Sequence, residues 1–173
     1  MKKFRRLAAL LVAGVMALML FAGCSGSGVN TAVENELLKQ FNKLAGTEFQ
    51  NDSKLHATAM QMLEKIDPES GLIRKDDYIK FIAQYENGER NEAMFMVVVR
   101  KDAEGDEADY GDYYIARELT PEMQKNLNLK DFLGEMAITP DVAEAVKGVA
   151  FAARTINGRT YLAVGVSGEG LAE

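Results

Sequence analysis

The sequence predicts an α+β domain in which an antiparallel sheet of about four strands carries helices on both faces, as in an α-β-α sandwich. The clearest observation is the segment 149–166, where two apolar runs flank Asn157-Gly158, the preferred pair for a two-residue hairpin turn. Upstream, residues 31–66 hold two stretches with apolar residues at helical spacing. Residues 93–99 are apolar on both alternating faces, which is typical of a strand buried on both sides.

Folding the hairpin about its turn predicts which side chains share a face. One face is large and apolar and consists of three cross-strand pairs: Val149 with Val166, Phe151 with Val164, and Ala153 with Leu162. The opposite face carries small residues only: Ala150, Ala152, Ala163 and Gly165. Small side chains allow a helix to lie close to the backbone, so both faces of this hairpin are expected to be covered.

Capping residues and apolar stripes predict the first two helices. Thr31 and Glu34 match a capping box, and Gly46 stands where a left-handed C-terminal residue belongs. The second helix is expected to begin near Asp52 and to end before Pro68. The apolar faces are Val33, Leu37, Leu38, Phe41 and Leu44 in the first helix, and Leu55, Ala59, Met62, Leu63 and Ile66 in the second.

The segment 76–86 fits either a helix or a strand. Asp76 and Asp77 favour the helix, because carboxylates at a helix N-terminus meet the positive end of the helix dipole. A helix is therefore the prediction. The alternative is a strand that leads into a turn at Asn87-Gly88.

Residues 102–112 are predicted to form an acidic loop, and residues 113–119 a second strand antiparallel to 93–99. The loop could offer oxygen ligands to calcium, but it lacks the glycine and the terminal Glu of an EF-hand loop. A solvated loop is therefore favoured over a metal site.

Two later segments begin with Thr-Pro and an acidic residue, at Thr120 and at Thr139. This order is typical of a helix start, with a Thr cap and Pro at the first helical position. The first of these helices is expected to break near Asn128, and the second to include Val146 and to end at Gly148.

The N-terminus has the order of a secretory signal helix. A cationic head precedes an apolar run, too short for a comfortable membrane span, which small residues connect to Cys24. The closing letters LFAGC resemble the lipobox of bacterial lipoproteins, with Phe21 where Leu is usual. The resemblance implies a diacylglyceryl group on the Cys24 sulfur and cleavage before this residue. The expected division is signal peptide 1–23, lipidated cysteine and flexible linker 24–30, a single globular domain 31–167 and a tail 168–173.

Charge and cysteine content exclude several classes of partner. The chain has 20 basic and 26 acidic residues, and the predicted signal removes four basic ones, which leaves 16 against 26 and a net charge of −10. This balance argues against nucleic acid and against a broad electrostatic contact with anionic lipid. Cys24 is the only cysteine, so no internal disulfide can form and stability has to come from packing.

No catalytic residue, cofactor or metal ligand is predicted. His56 is the only histidine, so it can form neither a complete triad nor a histidine-rich metal site, and a structural role is favoured. Two methionine pairs, Met60 with Met62 and Met94 with Met96, could bind Cu(I) through their thioethers. Both pairs lie within core patterns, where methionine commonly fills space.

Residues 36–66, followed much later by 147–166, resemble the first helices and the final hairpin of SCP-like extracellular (CAP) domains. The resemblance implies an exported α-β-α sandwich. The His/Glu metal constellation of that family is missing here, because His56 lies inside the second helix, so that site is not carried over.

The predicted function is that of a membrane-anchored, extracytoplasmic lipoprotein, held at the cell membrane through Cys24 or at an outer membrane if the host has one. It would act as a non-catalytic binding or assembly module of the cell envelope or periplasm, with an envelope protein as partner. The alternative is an envelope hydrolase using Asp/Glu chemistry. Two close carboxylates in a deep pocket would favour the hydrolase, and a shallow surface would favour binding.

Overall fold

Helices and antiparallel sheets together confirm the α+β class. The computed structural model describes residues 28–86, 89–133 and 145–168. Its helices are α1 (Thr31–Ala45), α2 (Ser53–Leu63), α3 (Pro121–Lys125) and α4 (Lys130–Leu133). Its strands are β1 (Gly28–Val29), β2 (Leu72–Arg74), β3 (Ile79–Glu86), β4 (Glu89–Val97), β5 (Asp109–Tyr110), β6 (Tyr113–Ile115), β7 (Val146–Ile156) and β8 (Arg159–Gly168).

The strands form a five-stranded sheet in the order β1-β7-β8-β4-β3 and a three-stranded sheet in the order β2-β6-β5. The β7-β8 hairpin lies in the middle of the larger sheet and has the predicted register, with Phe151 opposite Val164 and Ala153 opposite Leu162. Asn157 and Gly158 both have positive φ, 48° and 77°, as a type I′ turn requires.

Two hydrophobic clusters lie on the two sets of alternating residues of β7. Val149, Phe151 and Ala153 pack with the apolar stripe of α1, whereas Ala150 and Ala152 pack with that of α2. Alternate residues of a strand point to opposite faces, so each helix meets a different face of the hairpin. The small-residue face is the one that α2 contacts, as the short side chains allow.

The predicted helix at 76–86 is wrong. Residues 79–86 form β3, which pairs antiparallel with β4 from Ile79 opposite Met96 to Glu86 opposite Glu89. Asp77 does not begin a helix, since its N–H donates to Arg74 O in a turn. The segment forms a strand because pairing with the free edge of β4 gives its backbone N–H and C=O groups hydrogen-bond partners along the whole segment. Residues 87–88 of the alternative turn lie outside the described residues.

The predicted capping box is also wrong. Asn30, one residue earlier than Thr31, caps α1 and its side chain accepts from Val33 N. The Glu34 side chain turns away from the helix end and accepts a hydrogen bond from Ala153 N at 2.9 Å. The other predicted caps are confirmed: Gly46 has φ 69° at the end of α1, Asp52 begins α2 and Thr120 begins α3.

The strand predicted at 113–119 belongs mainly to the smaller sheet, where β6 pairs with β2 and β5. A single antiparallel bridge, Val99 with Ala116, connects this segment to the strand predicted at 93–99. Part of the predicted acidic loop is strand β5. The break near Asn128 is confirmed, since α3 ends before it and α4 begins after it.

The last predicted helix does not extend to Gly148. Val146 and Gly148 both lie in β7, with a register irregularity between them opposite Gly168 and Ser167 of β8. The start of this helix at Thr139 lies outside the described residues, as do Cys24 and the predicted signal. Within the described parts of the chain, no helix has the length and apolarity that crossing a membrane requires.

We expect the substitution Ala152→Leu to lower the free energy of unfolding by about 1–3 kcal/mol, because extra methylenes in a packed core force neighbours out of place. Ala152 is fully buried between β8 and α2. Ala57→Leu is the matched control, since Ala57 lies exposed on α2. Urea denaturation of both variants measures the difference. Equal stabilities would show that the small-residue face is not packed.

Candidate functional site

The outer edge of β7 is closed by residues 30–52 rather than by a full-length strand. Asn30 N donates to Ala153 O, and the Asn51 side chain exchanges two hydrogen bonds with the backbone of Phe151. Asp52 N donates to Val149 O at 3.0 Å. These contacts satisfy backbone groups that would otherwise lie unpaired at a partly buried edge.

His56 takes part in the same edge. Its Nε2 lies 2.9 Å from Glu34 Oε1, the oxygen that also accepts from Ala153 N. The Glu34 side chain is 4% exposed, so its carboxylate needs these donors in place of water. His56 therefore connects α2 to α1 around the edge of the sheet.

A cleft that could hold a ligand lies elsewhere on the described surface, on the side of the 67–71 turn. It has a volume of about 570 Å³, within the range of small-molecule sites. Four cationic side chains border it, against one carboxylate, Glu118. The cationic residues are Arg100, Lys101, Arg117 and Arg159.

Three chain segments bring these cations together. Arg100 N donates to Ile115 O and Arg117 N donates to Val98 O, so the chain after β4 lies beside the chain after β6. Ala116 N donates to Gly71 O, which adds the 67–71 turn to the same wall. Residues separated by many positions in sequence thus border one cleft.

Arg159 fixes the hairpin turn to the wall of the cleft. Its Nη2 donates to Pro68 O at 2.9 Å and to Glu69 O at 2.6 Å. The Asn157 side chain donates to Pro68 O as well. The guanidinium is therefore held at a defined position while its other terminal nitrogen, Nη1, lies next to Gly71.

Tyr161 reaches the same point from β8. The residue is 1% exposed, and none of the described residues forms a hydrogen bond with its hydroxyl. An ideal Cβ on Gly71 would lie 2.9 Å from this hydroxyl and 3.3 Å from Arg159 Nη1. Gly71 has φ 73°, where glycine is favoured, and its missing side chain allows both groups to approach the backbone closely. Burial raises the pKa of Tyr161, which keeps the phenol protonated and able to donate.

The other three cationic side chains of the cleft differ in whether they already have a partner within the protein. Lys101 Nζ pairs with Glu107 at 2.7 Å, and this bond lowers the Glu107 pKa. Arg117 donates to Asp131 O and its guanidinium lies 5.0 Å from the Phe132 ring centre. Arg100 has no side-chain partner among the residues that the structure describes, so its donors are available to a ligand.

The residues considered from the sequence do not meet in this cleft. His56 lies at the β7 edge, and Met62 is buried in the cluster of α2. Asp102 of the acidic loop accepts from Glu104 N and Asp106 N, which makes it part of a local turn. No group of three potential metal-ligating His, Cys, Asp or Glu side chains occurs among the described residues.

Sequence reasoning missed the cleft. The available signal was weak: Arg159 follows directly on the predicted Asn157-Gly158 turn, and Arg100 follows directly on the strand predicted at 93–99. Comparison of the chain with family models, curated proteins and solved structures finds no match.

We expect Glu34→Ala to lower the free energy of unfolding by about 1–3 kcal/mol, because the buried Ala153 N–H loses its acceptor. Glu36→Ala is the control on the same helix, since the Glu36 side chain is 44% exposed and pairs with exposed Lys39 and half-buried Gln40. That variant should change stability by less than about 0.5 kcal/mol. Equal losses in chemical denaturation would contradict a special role for Glu34.

The turn beside the cleft should depend on pH through Asp67. Its carboxylate accepts from the Ser70 hydroxyl, Ser70 N and Glu69 N, and the Ser70 hydroxyl is the largest cause lowering its pKa below 3.8. A group with a lowered folded pKa stabilises the fold above its unfolded pKa and loses this contribution as pH falls through the folded one.

Melting temperatures of wild type and Asp67→Asn should therefore differ above a pH of about 4 and converge in more acidic solution. The control is Asp106→Asn, because the Asp106 carboxylate is exposed and accepts none of the described hydrogen bonds. A difference for Asp67→Asn that stays constant down to the acid limit of folding would rule out this titration.

Proposed function

We propose that this protein is a bacterial lipoprotein, anchored through a lipid on Cys24 to the extracytoplasmic face of the cell membrane, or to an outer membrane if the host has one. It acts as a non-catalytic binding or assembly module of the cell envelope. The cationic cleft is its ligand site. Its envelope protein partner is unidentified.

The observation that carries the binding role is the convergence of hydrogen-bond donors on the cleft. Arg159 is positioned by two carbonyl oxygens, and the Tyr161 side chain is almost wholly buried while its hydroxyl, bonded to none of the described residues, stays accessible at the cleft. Such preorganised donors favour ligand binding, because little side-chain freedom is lost when the ligand arrives.

The hydrolase alternative has less support. It needs a pair of carboxylates, one of them with a raised pKa. Within the described part of the chain Glu118 is the single carboxylate that borders the cleft. The carboxyl groups with a shifted pKa, Asp67 and Glu107, are shifted downward, which suits ion pairing rather than proton donation.

The proposed anchor lies close to the domain. Gly28 and Val29 pair with Thr155 and Arg154 of β7, so part of the linker predicted at 24–30 is a strand. Gly28 is four positions after Cys24, which corresponds to at most about 14 Å of extended chain. A domain tethered this closely meets membrane and envelope components at high effective concentration.

We also infer that the domain is an α-β-α sandwich, with α1 and α2 as its outer layers. The two clusters on alternate residues of β7 support this inference. A degenerate SCP-like domain would have the same layers and would likewise lack the family's metal site, so this relationship stays part of the proposal.

The lipid anchor predicts that Cys24→Ser blocks acyl transfer and leaves an uncleaved or soluble product. Metabolic labelling with a fatty acid and fractionation of the cells measure both effects. Ser25→Ala is the control and should be lipidated and processed normally. A labelled and fully processed Cys24→Ser protein in the membrane fraction would rule out the lipobox.

The binding role predicts that a photo-crosslinking amino acid at Glu118 captures an envelope component in intact cells. Arg100→Glu should abolish this adduct, because it reverses a charge at the cleft. Lys39→Glu is the control, since Lys39 is 79% exposed on α1. An adduct that survives Arg100→Glu would contradict binding through the cleft.

A further inference from the structure

We propose that the cleft binds the phosphate group of its ligand, with the Tyr161 hydroxyl, Arg159 Nη1 and the Arg100 guanidinium as hydrogen-bond donors. The inference rests on the proposed function in one respect, namely that this cleft is the ligand site. It adds the chemical class of the group recognised there.

The Tyr161 hydroxyl supplies the first argument. This hydroxyl bonds to none of the described residues and is not enclosed by the protein, so its donor is open to a ligand in the cleft. Tyr161 borders the cleft and is 1% exposed. Because burial raises its pKa, the phenol is neutral near pH 7 and offers a proton to an anionic oxygen.

The position of Arg159 supplies the second argument. Its Nη2 is bound to Pro68 O and Glu69 O, both neutral acceptors, so the positive charge is not neutralised by these contacts. Its Nη1 and the Tyr161 hydroxyl lie 3.3 Å and 2.9 Å from the place where a Gly71 side chain would begin. The two donors therefore lie close to each other and to the Gly71 backbone, an approach that a side chain at this position would obstruct.

The distribution of donors favours a phosphate over a carboxylate. Arg159 and Tyr161 come from β8, whereas Arg100 comes from the chain after β4. Donors from separate segments suit the tetrahedral arrangement of phosphate oxygens, while a planar carboxylate is matched by one guanidinium alone. Arginine is also the preferred partner of phosphate groups.

The cleft is larger than a single phosphate requires. Its volume of about 570 Å³ leaves room for an organic portion beside Ile115 and Met123, which border it too. A soluble phosphate ester and a lipid headgroup share this chemistry, and a domain tethered within about 14 Å of the membrane meets both. The experiment therefore separates these sources.

The test measures binding of inorganic phosphate to the full-length lipoprotein in neutral detergent micelles, by calorimetry and by the shift in melting temperature. Chloride at matched ionic strength is the salt control. We expect saturable binding and a raised melting temperature. Tyr161→Phe and Arg100→Gln should each weaken binding at least about tenfold, the effect of losing a hydrogen bond to a charged group.

Matched controls lie away from the cleft. Tyr113→Phe removes a hydroxyl from an exposed tyrosine, and Arg74→Gln removes an exposed guanidinium that pairs with Asp76. Both should bind phosphate as wild type does. Glycerol 3-phosphate and a short-chain phosphatidylglycerol then identify the source, since the natural class of ligand should bind more tightly than inorganic phosphate.

Absence of saturable phosphate binding overturns the inference, as does binding that Tyr161→Phe and Arg100→Gln leave unchanged. The two proposals fail separately. If the Glu118 adduct forms and depends on Arg100 while phosphate does not bind, the cleft is a ligand site for another group and only the phosphate assignment is wrong.

Discussion

The backbone groups along the outer edge of β7 need hydrogen-bond partners, and the other contacts depend on this constraint. This strand lies between two hydrophobic clusters, so its outward N–H and C=O groups have little access to water and need partners. Residues 30–52 provide them through two backbone N–H groups, the Asn51 amide and the Glu34 carboxylate. The segment that closes the edge also connects α1 and α2, which is how the two helices come to opposite faces of the hairpin.

The same hairpin positions the cleft at its other end. The Asn157-Gly158 turn reverses the chain so that Arg159 donates to the carbonyl oxygens of Pro68 and Glu69 in the 67–71 turn. That turn is fixed in its own right by the Asp67 carboxylate, which accepts three hydrogen bonds. The cleft is thus built from a sheet and a capped turn, and Arg159 and Tyr161 are held in place before any ligand arrives. This rigidity is the physical basis of the proposed binding role.

Overall charge and local charge differ in sign here. The acidic residues exceed the basic ones along the whole chain, yet four cations border the cleft. A net negative charge disfavours unspecific contact with anionic polymers and membranes, whereas the cations of the cleft attract an anion locally. For a domain tethered beside an anionic membrane, this pattern would favour recognition of a particular anionic group over general adhesion. In the proposed function, the lipid anchor determines the location of the domain and the cleft recognises the ligand.

The sequence by itself determined the elements that depend on neighbouring residues. The turn dipeptide and alternating side chains defined the hairpin register, and Asp52, Thr120 and Gly46 marked helix ends, because caps and turns are local interactions. Tertiary structure decided the rest. Residues 79–86 fitted two periodicities and became a strand because β4 offered a pairing edge. Glu34 left its expected cap because a buried N–H of Ala153, more than a hundred positions away, needed an acceptor. The cleft could not be predicted for the same reason: Gly71, Arg100 and Tyr161 meet only after both sheets have formed, and no local pattern encodes their proximity.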